Sequence, residues 1–282
     1  MYEKWKGVHT RCAFNMIQEL IPLTRPRTLA AALGPTILGA AFSYYAFGAA
    51  QGTVLAIFHT VLIFLAVVTA QIVANLWNEY KDFKSGLDAG QKVGNAGSIT
   101  RGVITPELII TMIKVLMFVP IIIGLYLSAT ITWYYIPAGF LCILISFLYS
   151  GGPKPISRTP FGEISSGIAM GFAIVLITGY AWTRELSLAL LIPAIPSTLL
   201  VGSIMLTNNI RDIRNDESHG RHTLPIVLGR ERALSLMSIS YIFNFIWIIA
   251  WIIVGHMTWF ALLAFLAAPL AFKTIHTLST NT

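Results

Sequence analysis

The sequence predicts an all-α fold, a polytopic membrane bundle of eight to nine transmembrane helices around a central polar site. Three observations carry that reading. The chain of 282 residues is 56% hydrophobic and only 11% charged, with a mean hydropathy of +0.73, far too apolar for a domain surrounded by water. Its apolar residues fall into runs close to the roughly 20 residues that a helix needs to cross hydrocarbon, where an unclosed sheet would leave backbone groups unpaired. Carboxylates and amides gather at the ends of two of these runs, where they are costly unless they face a partner, a cavity or a site.

Residues 1–26 carry Lys4, Lys6, Arg11 and Arg25, with Arg27 just beyond. They lack a long apolar centre and a small-residue cleavage site, and so read as a cytoplasmic arm rather than a signal peptide. Spans are expected at about 28–48, 54–79, 107–128, 132–150, 164–182, 187–209, 233–254 and 257–272. The last is short, and 273–282 reads as a connection, which leaves the count at eight to nine, with room for a ninth helix after residue 282. The whole chain, 1–282, reads as one transmembrane domain. Small residues in the first span, Gly34, Gly39, Ala40 and Ala41, suit close helix packing.

Sidedness follows from Lys and Arg. They concentrate in the N-terminal arm, the 80–106 loop (Lys81, Lys84, Lys92, Arg101), the 151–163 loop (Lys154, Arg158) and the 210–232 loop (Arg211, Arg214, Arg221, Arg230, Arg232). The opposite connections carry only Arg184. A multi-pass protein of the cell membrane with its N-terminus and polar loops in the cytoplasm is therefore expected. Cys12 and Cys142 fall in the arm and inside a span, which argues against a structural disulfide. The net charge of +7 is dispersed over short loops, so lipid headgroups and an anionic substrate are the expected partners and nucleic acid is not.

The first polar gathering is Asn75-Leu76-Trp77-Asn78-Glu79-Tyr80-Lys81-Asp82, with Gly86 and Asp88 following. Asn78 and Asp82 are spaced i, i+4, and Gln71 and Asn75 continue their stripe back into the membrane. The second is Asn208-Asn209-Ile210-Arg211-Asp212-Ile213-Arg214-Asn215-Asp216. Here Asn208, Asp212 and Asp216 share one helical stripe. Oxygen donors of this kind suit Mg2+, which is commonly shared between a few carboxylates and substrate phosphates. Both clusters end a span on the same side with four spans between them, which suggests a quasi-repeat of four-helix units. Arg101, Lys154, Arg211 and Arg221 lie near the acids and would neutralise a diphosphate. Acids for metal and bases for phosphate, at the mouth of an apolar bundle, suit a ligand with a charged head and a greasy tail.

These two motifs, together with Gly220-Arg221-His222-Thr223-Leu224-Pro225 and Leu228-Gly229-Arg230, resemble those of the UbiA superfamily of intramembrane prenyltransferases. The resemblance runs from Arg25-Pro26-Arg27 to the final connection, and within the superfamily it is greatest to the 1,4-dihydroxy-2-naphthoate polyprenyltransferases of menaquinone synthesis. Two departures stand out. Glu79 replaces the usual aspartate of Asn-Asp-x-x-Asp, and Gly86 stands where the next acid is expected, with Asp88 two residues later.

The resemblance implies Mg2+-dependent transfer of a polyprenyl group from a polyprenyl diphosphate to an aromatic acceptor, dihydroxynaphthoate, with loss of carbon dioxide. It implies metal-holding roles for Asn78, Glu79, Asp82, Asp88, Asn208, Asp212 and Asp216, with Asp82 and Asp212 central to catalysis, and diphosphate binding by Arg101, Lys154, Arg211 and Arg221. Gln71, Asn75 and Tyr149 would contact the acceptor, Gln71 and Tyr149 with a catalytic share. Trp77, Phe147 and Tyr149 are the aromatics nearest an allylic cation, although packing is their commoner role. His59 and His256 have no partner at ligand spacing and read as interfacial polar residues. The alternatives are a UbiA-type enzyme with another acceptor such as 4-hydroxybenzoate, and a transporter. Transport would call for ionisable groups at mid-membrane rather than at one face.

Overall fold

Helices follow the apolar runs. The computed structural model describes residues 20–86 and 98–280, and no strand occurs among them. The membrane helices are α1 (Ala30–Phe47), α2 (Thr53–Ser85), α3 (Pro106–Thr130), α4 (Tyr135–Ser150), α5 (Gly162–Thr183) and α6 (Leu191–Arg211). Two short helices, α7 (Ile213–Ser218) and α8 (Leu224–Leu228), lead to α9 (Arg230–Ile253) and α10 (Trp259–Thr280). Seven of these are long and apolar enough to cross a membrane, and α4 is a shorter apolar helix. The protein is a multi-pass membrane bundle.

Each expected span has its helix, with two shifts in extent. α2 runs past residue 79 to Ser85, 33 residues in all, or about 50 Å at 1.5 Å per residue. That exceeds the ~30 Å hydrocarbon core, so its last turns carry Asn75 to Asp82 toward the headgroup level. Gly86 stops it in the left-handed conformation, φ 75°, with its N–H on the Asp82 and Phe83 carbonyls. At the other end of the chain, residues expected to form a connection are helical. α10 opens as a 3-10 turn over Trp259–Ala267 and continues as α-helix over Ala268–Thr280. Buried Leu278 packs there against Leu206, Ile210, Ala233 and Met237, and the Arg230 guanidinium donates to the Leu278 carbonyl.

α5 lies between α1 and α6, and α9 covers the other side of α6. Close approach depends on glycine at two points. A Cβ on Gly39 would sit 2.8 Å from the Val175 carbonyl oxygen, and one on Gly171 would sit 2.6 Å from the Thr198 Cα. Of the other small residues in α1, Ala40 is buried and Ala41 exposed, while Gly34 has open space around it. Gly171 belongs to a π-helical stretch, Gly167–Phe172, that widens α5 beside α6. In α6, Pro196 has no N–H for the Ile192 carbonyl. The Trp247 indole of α9 donates to that oxygen instead, at 2.9 Å.

At the end of the bundle away from the acidic turns, Arg184 closes α5 with φ 60°. Its Nη1 donates to the Thr130 and Ile131 carbonyls, both at 3.0 Å, and Nη2 donates to Gln51 Oε1. Gln51 Nε2 donates to the Ala181 carbonyl at 2.6 Å and to His59 Nδ1 at 2.9 Å. His59 is therefore buried in a polar network and has a partner, Gln51, from outside its own helix. His256 packs edge-on against Trp251, with ring centroids 5.4 Å apart.

Gly171→Leu is expected to force α5 and α6 apart and cost about 1–3 kcal/mol, lowering the unfolding midpoint measured in detergent. Gly34→Leu, which meets no atom within 4 Å of its Cβ, is expected to leave that midpoint nearly unchanged.

Candidate functional site

Arg221 joins the C-terminal turn of α2 to α7, the short helix that follows α6, at one end of the bundle. Gly220, at φ 67°, reverses the chain after α7. The Arg221 N–H then donates to the Asp216 carbonyl, and the His222 N–H to the Arg158 carbonyl. So held, the Arg221 guanidinium places Nη2 3.3 Å from Asp82 Oδ1 and Nη1 3.2 Å from Asp216 Oδ1. The side chains of Arg221, Asp82 and Asp216 are 14%, 13% and 4% exposed. One cation is thus shared by two carboxylates from different helices, largely out of water, where charge interactions are strong. Burial pushes the Asp216 carboxyl above the ordinary carboxylate range, with Arg221 pulling it back and Asp212 adding to the rise.

The stripe Asn208, Asp212, Asp216 survives a change of helix. The Asp212 N–H donates to the Asn208 carbonyl at 3.0 Å and the Asp216 N–H to the Asp212 carbonyl at 2.9 Å, although Asp212 itself leaves helical geometry at φ −99°, ψ 11°. The two acids have different surroundings. Asp216 is buried, whereas Asp212 faces out and takes a two-pronged contact from Arg211 Nε and Nη2 at 2.9 and 2.8 Å. An exposed pair of this kind contributes about 0–1 kcal/mol and opens readily.

On α2 the amides fan out to separate elements. Asn78 Oδ1 accepts from the Ser150 hydroxyl at 3.0 Å. Asn75 Nδ2 donates to the Thr24 carbonyl at 2.9 Å, with the Thr28 hydroxyl oxygen at 3.4 Å. Gln71 lies half-buried about a turn earlier. Glu79 is fully buried, and its Oε1 accepts the backbone N–H groups of Ser98 and Ile99. That oxygen secures the turn leading to α3. Arg101 Nη2 donates to the Ser98 hydroxyl in the same turn, at 3.2 Å, and Lys154 is exposed on the loop after α4. Asp88 and Cys12 fall outside the described residues.

The aromatics divide as well. Trp77 donates through Nε1 to the Phe147 carbonyl at 3.0 Å and packs edge-on against the Phe147 ring. Lys81 Nζ lies over its face, 5.4 Å from the centroid, so Trp77 and Phe147 join α2 to α4. Tyr149 is the aromatic that reaches the polar cluster. Its hydroxyl lies 3.5 Å from where a Cβ on Gly162 would stand, with Ser166, Glu163, Arg221 and Arg25 around it.

Four neighbours escape the sequence reading as site residues. Arg25 and Arg158 lie close enough to act on the Asp82 charge, Ser150 binds Asn78, and Glu163 accepts from Asn209 Nδ2 at 2.8 Å. Glu163 sits in the first turn of α5, where an acid looks like an ordinary partner of the helix dipole. Arg25 offers one signal, its place in Arg25-Pro26-Arg27 at the start of the motif-bearing region.

Among the described residues no three His, Cys, Asp or Glu side chains converge closely enough to hold a metal by themselves. The donors nevertheless fit Mg2+, which commonly takes one or two carboxylates and completes its shell with water and phosphate. All are hard oxygens, and Asp216 Oδ2 is buried with no hydrogen-bond partner among the described residues.

A model of the UbiA prenyltransferase family matches residues 32–281. The 1,4-dihydroxy-2-naphthoate octaprenyltransferase of Bacillus subtilis is 38% identical over 262 residues, covering 90% of this chain and 80% of its own. The enzyme of the same name from Mycobacterium tuberculosis is 30% identical over 256 residues, covering 88% and 82%. Among solved structures, a UbiA homolog from Archaeoglobus fulgidus bound to GPP and Mg2+ aligns with a TM-score of 0.65 at 17% identity, covering 92% of this chain and 85% of that one. The same homolog bound to Cd2+ aligns with a TM-score of 0.66 at 16% identity, covering 93% and 89%.

Arg221→Ala would leave two buried carboxylates facing each other, and a loss of about 3–5 kcal/mol is expected. Adding Asp82→Asn should recover part of it. A double-mutant cycle of unfolding midpoints measures that coupling, and strictly additive losses would mean the bridge does not join the helices.

Proposed function

The chain belongs to the UbiA prenyltransferase family, and from that premise we propose that it transfers a polyprenyl group from a polyprenyl diphosphate to 1,4-dihydroxy-2-naphthoate, with loss of carbon dioxide, giving demethylmenaquinol for menaquinone synthesis. The observation that carries the reaction type is the meeting of Asp82 and Asp216 at Arg221, at one end of an apolar bundle. The acceptor follows the names of the relatives.

Asn78, Asp82, Asn208, Asp212 and Asp216 would hold the metal. When bound, Mg2+ would neutralise the diphosphate as charge develops on it in the transition state. Arg221 is placed to exchange a carboxylate for a phosphate oxygen, since its planar fork suits either. Arg211 can follow once its exposed contact with Asp212 opens, and Arg101 and Lys154 add positive charge at the same end. Tyr149, with Gln71 and Asn75 deeper along α2, would meet the aromatic acceptor. The isoprenoid tail would lie along the apolar helices, which are as hospitable to it as the surrounding lipid. The concentration of Lys and Arg at the acidic end supports its placement at the cytoplasmic face of the cell membrane.

The test is mass spectrometry of the product formed by purified protein from a prenyl diphosphate and dihydroxynaphthoate, with 4-hydroxybenzoate as the competing acceptor. The expected mass is that of the prenylated, decarboxylated naphthoquinol, and EDTA should abolish it. A prenylated hydroxybenzoate would reassign the acceptor. Asp82→Asn and Asp216→Asn are each expected to lower kcat by about 10²–10³, and full activity in both would rule out the metal site as drawn.

A further inference from the structure

Glu163 is a buried acid that the diphosphate chemistry does not use. It opens α5 at the same end of the bundle as Asp82 and Asp216, and it is 5% exposed. Oε1 accepts the Asn209 amide of α6 at 2.8 Å. Oε2 is buried and has no hydrogen-bond partner among the described residues. Each other acid of the cluster has a cation or a backbone N–H: Asp82 and Asp216 share Arg221, although Asp216 Oδ2 is also bare, Asp212 takes Arg211, and Glu79 takes the backbone at Ser98. No Lys or Arg forms an ion pair with Glu163 among the described residues. Its electrostatic neighbours are Asp216 and Tyr149.

A buried carboxylate with one oxygen bare is costly, and the cost falls when a ligand fills that oxygen. The vacant lone pairs call for a donor. A diphosphate is repelled by the charge, and an isoprenoid tail has no donor. A phenolic hydroxyl has the right chemistry: no arginine pairs with Glu163 among the described residues, and the Tyr149 hydroxyl lies against the adjacent Gly162.

We infer that Glu163 binds the aromatic acceptor, its Oε2 accepting a hydrogen bond from a ring hydroxyl while Asn209 holds the carboxylate in place. The inference rests on the prenyl-transfer reading above. It also orients the acceptor, because an acceptor carboxylate repelled by Glu163 must point away from it, leaving a hydroxyl edge against α5. Glu163 thereby distinguishes a phenol from an aromatic ring that has nothing to donate.

Steady-state kinetics on the full chain in detergent test this. Glu163→Gln keeps an oxygen for Asn209 and loses the charge, so a residue that merely ties α5 to α6 would tolerate it. The expected result is a rise of about tenfold or more in the KM for dihydroxynaphthoate, with the KM for prenyl diphosphate and the Mg2+ dependence within about twofold of wild type. An unchanged acceptor KM overturns the inference, as does a comparable rise in the prenyl diphosphate KM, which would put Glu163 on the diphosphate side. If the Gln variant does not fold, Asn209→Ala, which releases Glu163 without removing it, should raise the acceptor KM by about threefold, and no rise overturns the inference. Wild-type protein that prenylates no aromatic acceptor would overturn the reading beneath it as well, so the two failures are separable.

Discussion

The sharing of one guanidinium between Asp82 and Asp216 is the constraint on which the site depends. The two acids end helices that are far apart in sequence, and without a cation between them they would repel at short range in a region of low dielectric. Arg221 removes that repulsion and sets the spacing of the two helix ends. The loop that carries it is held by backbone bonds from Arg221 to Asp216 and from His222 to Arg158. The cation is thus presented by a short constrained turn rather than by a free surface side chain.

Around that bridge, neighbours of one chemical type have different tasks because they leave their helices in different directions. Glu79 and Asp82 are three residues apart on α2, yet one holds the turn at Ser98 while the other meets Arg221. Asp212 and Asp216 are a turn apart, yet one lies at the surface with Arg211 and the other is buried. Asn208 and Asn209 are adjacent, and it is Asn209 that turns toward α5. A list of donors is therefore a poor guide to a site, and direction decides membership.

The helices and both polar motifs were legible from the sequence because each rests on local regularities: apolar runs near span length, and acids repeating every four residues. The Arg221 bridge was not, since its ends are 139 residues apart and several arginines in the loops look alike. Glu163 was hidden by resembling an ordinary first-turn acid, and His59 by looking solitary when its partners, Gln51 and through it Arg184, come from other segments. The end of α10 is not legible because Lys273 and His276 break the apolar run while the helix continues, packed through Leu278 and capped by Arg230.

The network of Arg184, Gln51 and His59 sets the two ends of the bundle apart. It draws the C-terminal carbonyls of α3, the end of α5 and the first turns of α2 onto one cation. The polar groups at that end are turned on one another and serve to fasten helix ends, whereas at the opposite end two carboxylate oxygens, Asp216 Oδ2 and Glu163 Oε2, keep unfilled lone pairs among the described residues.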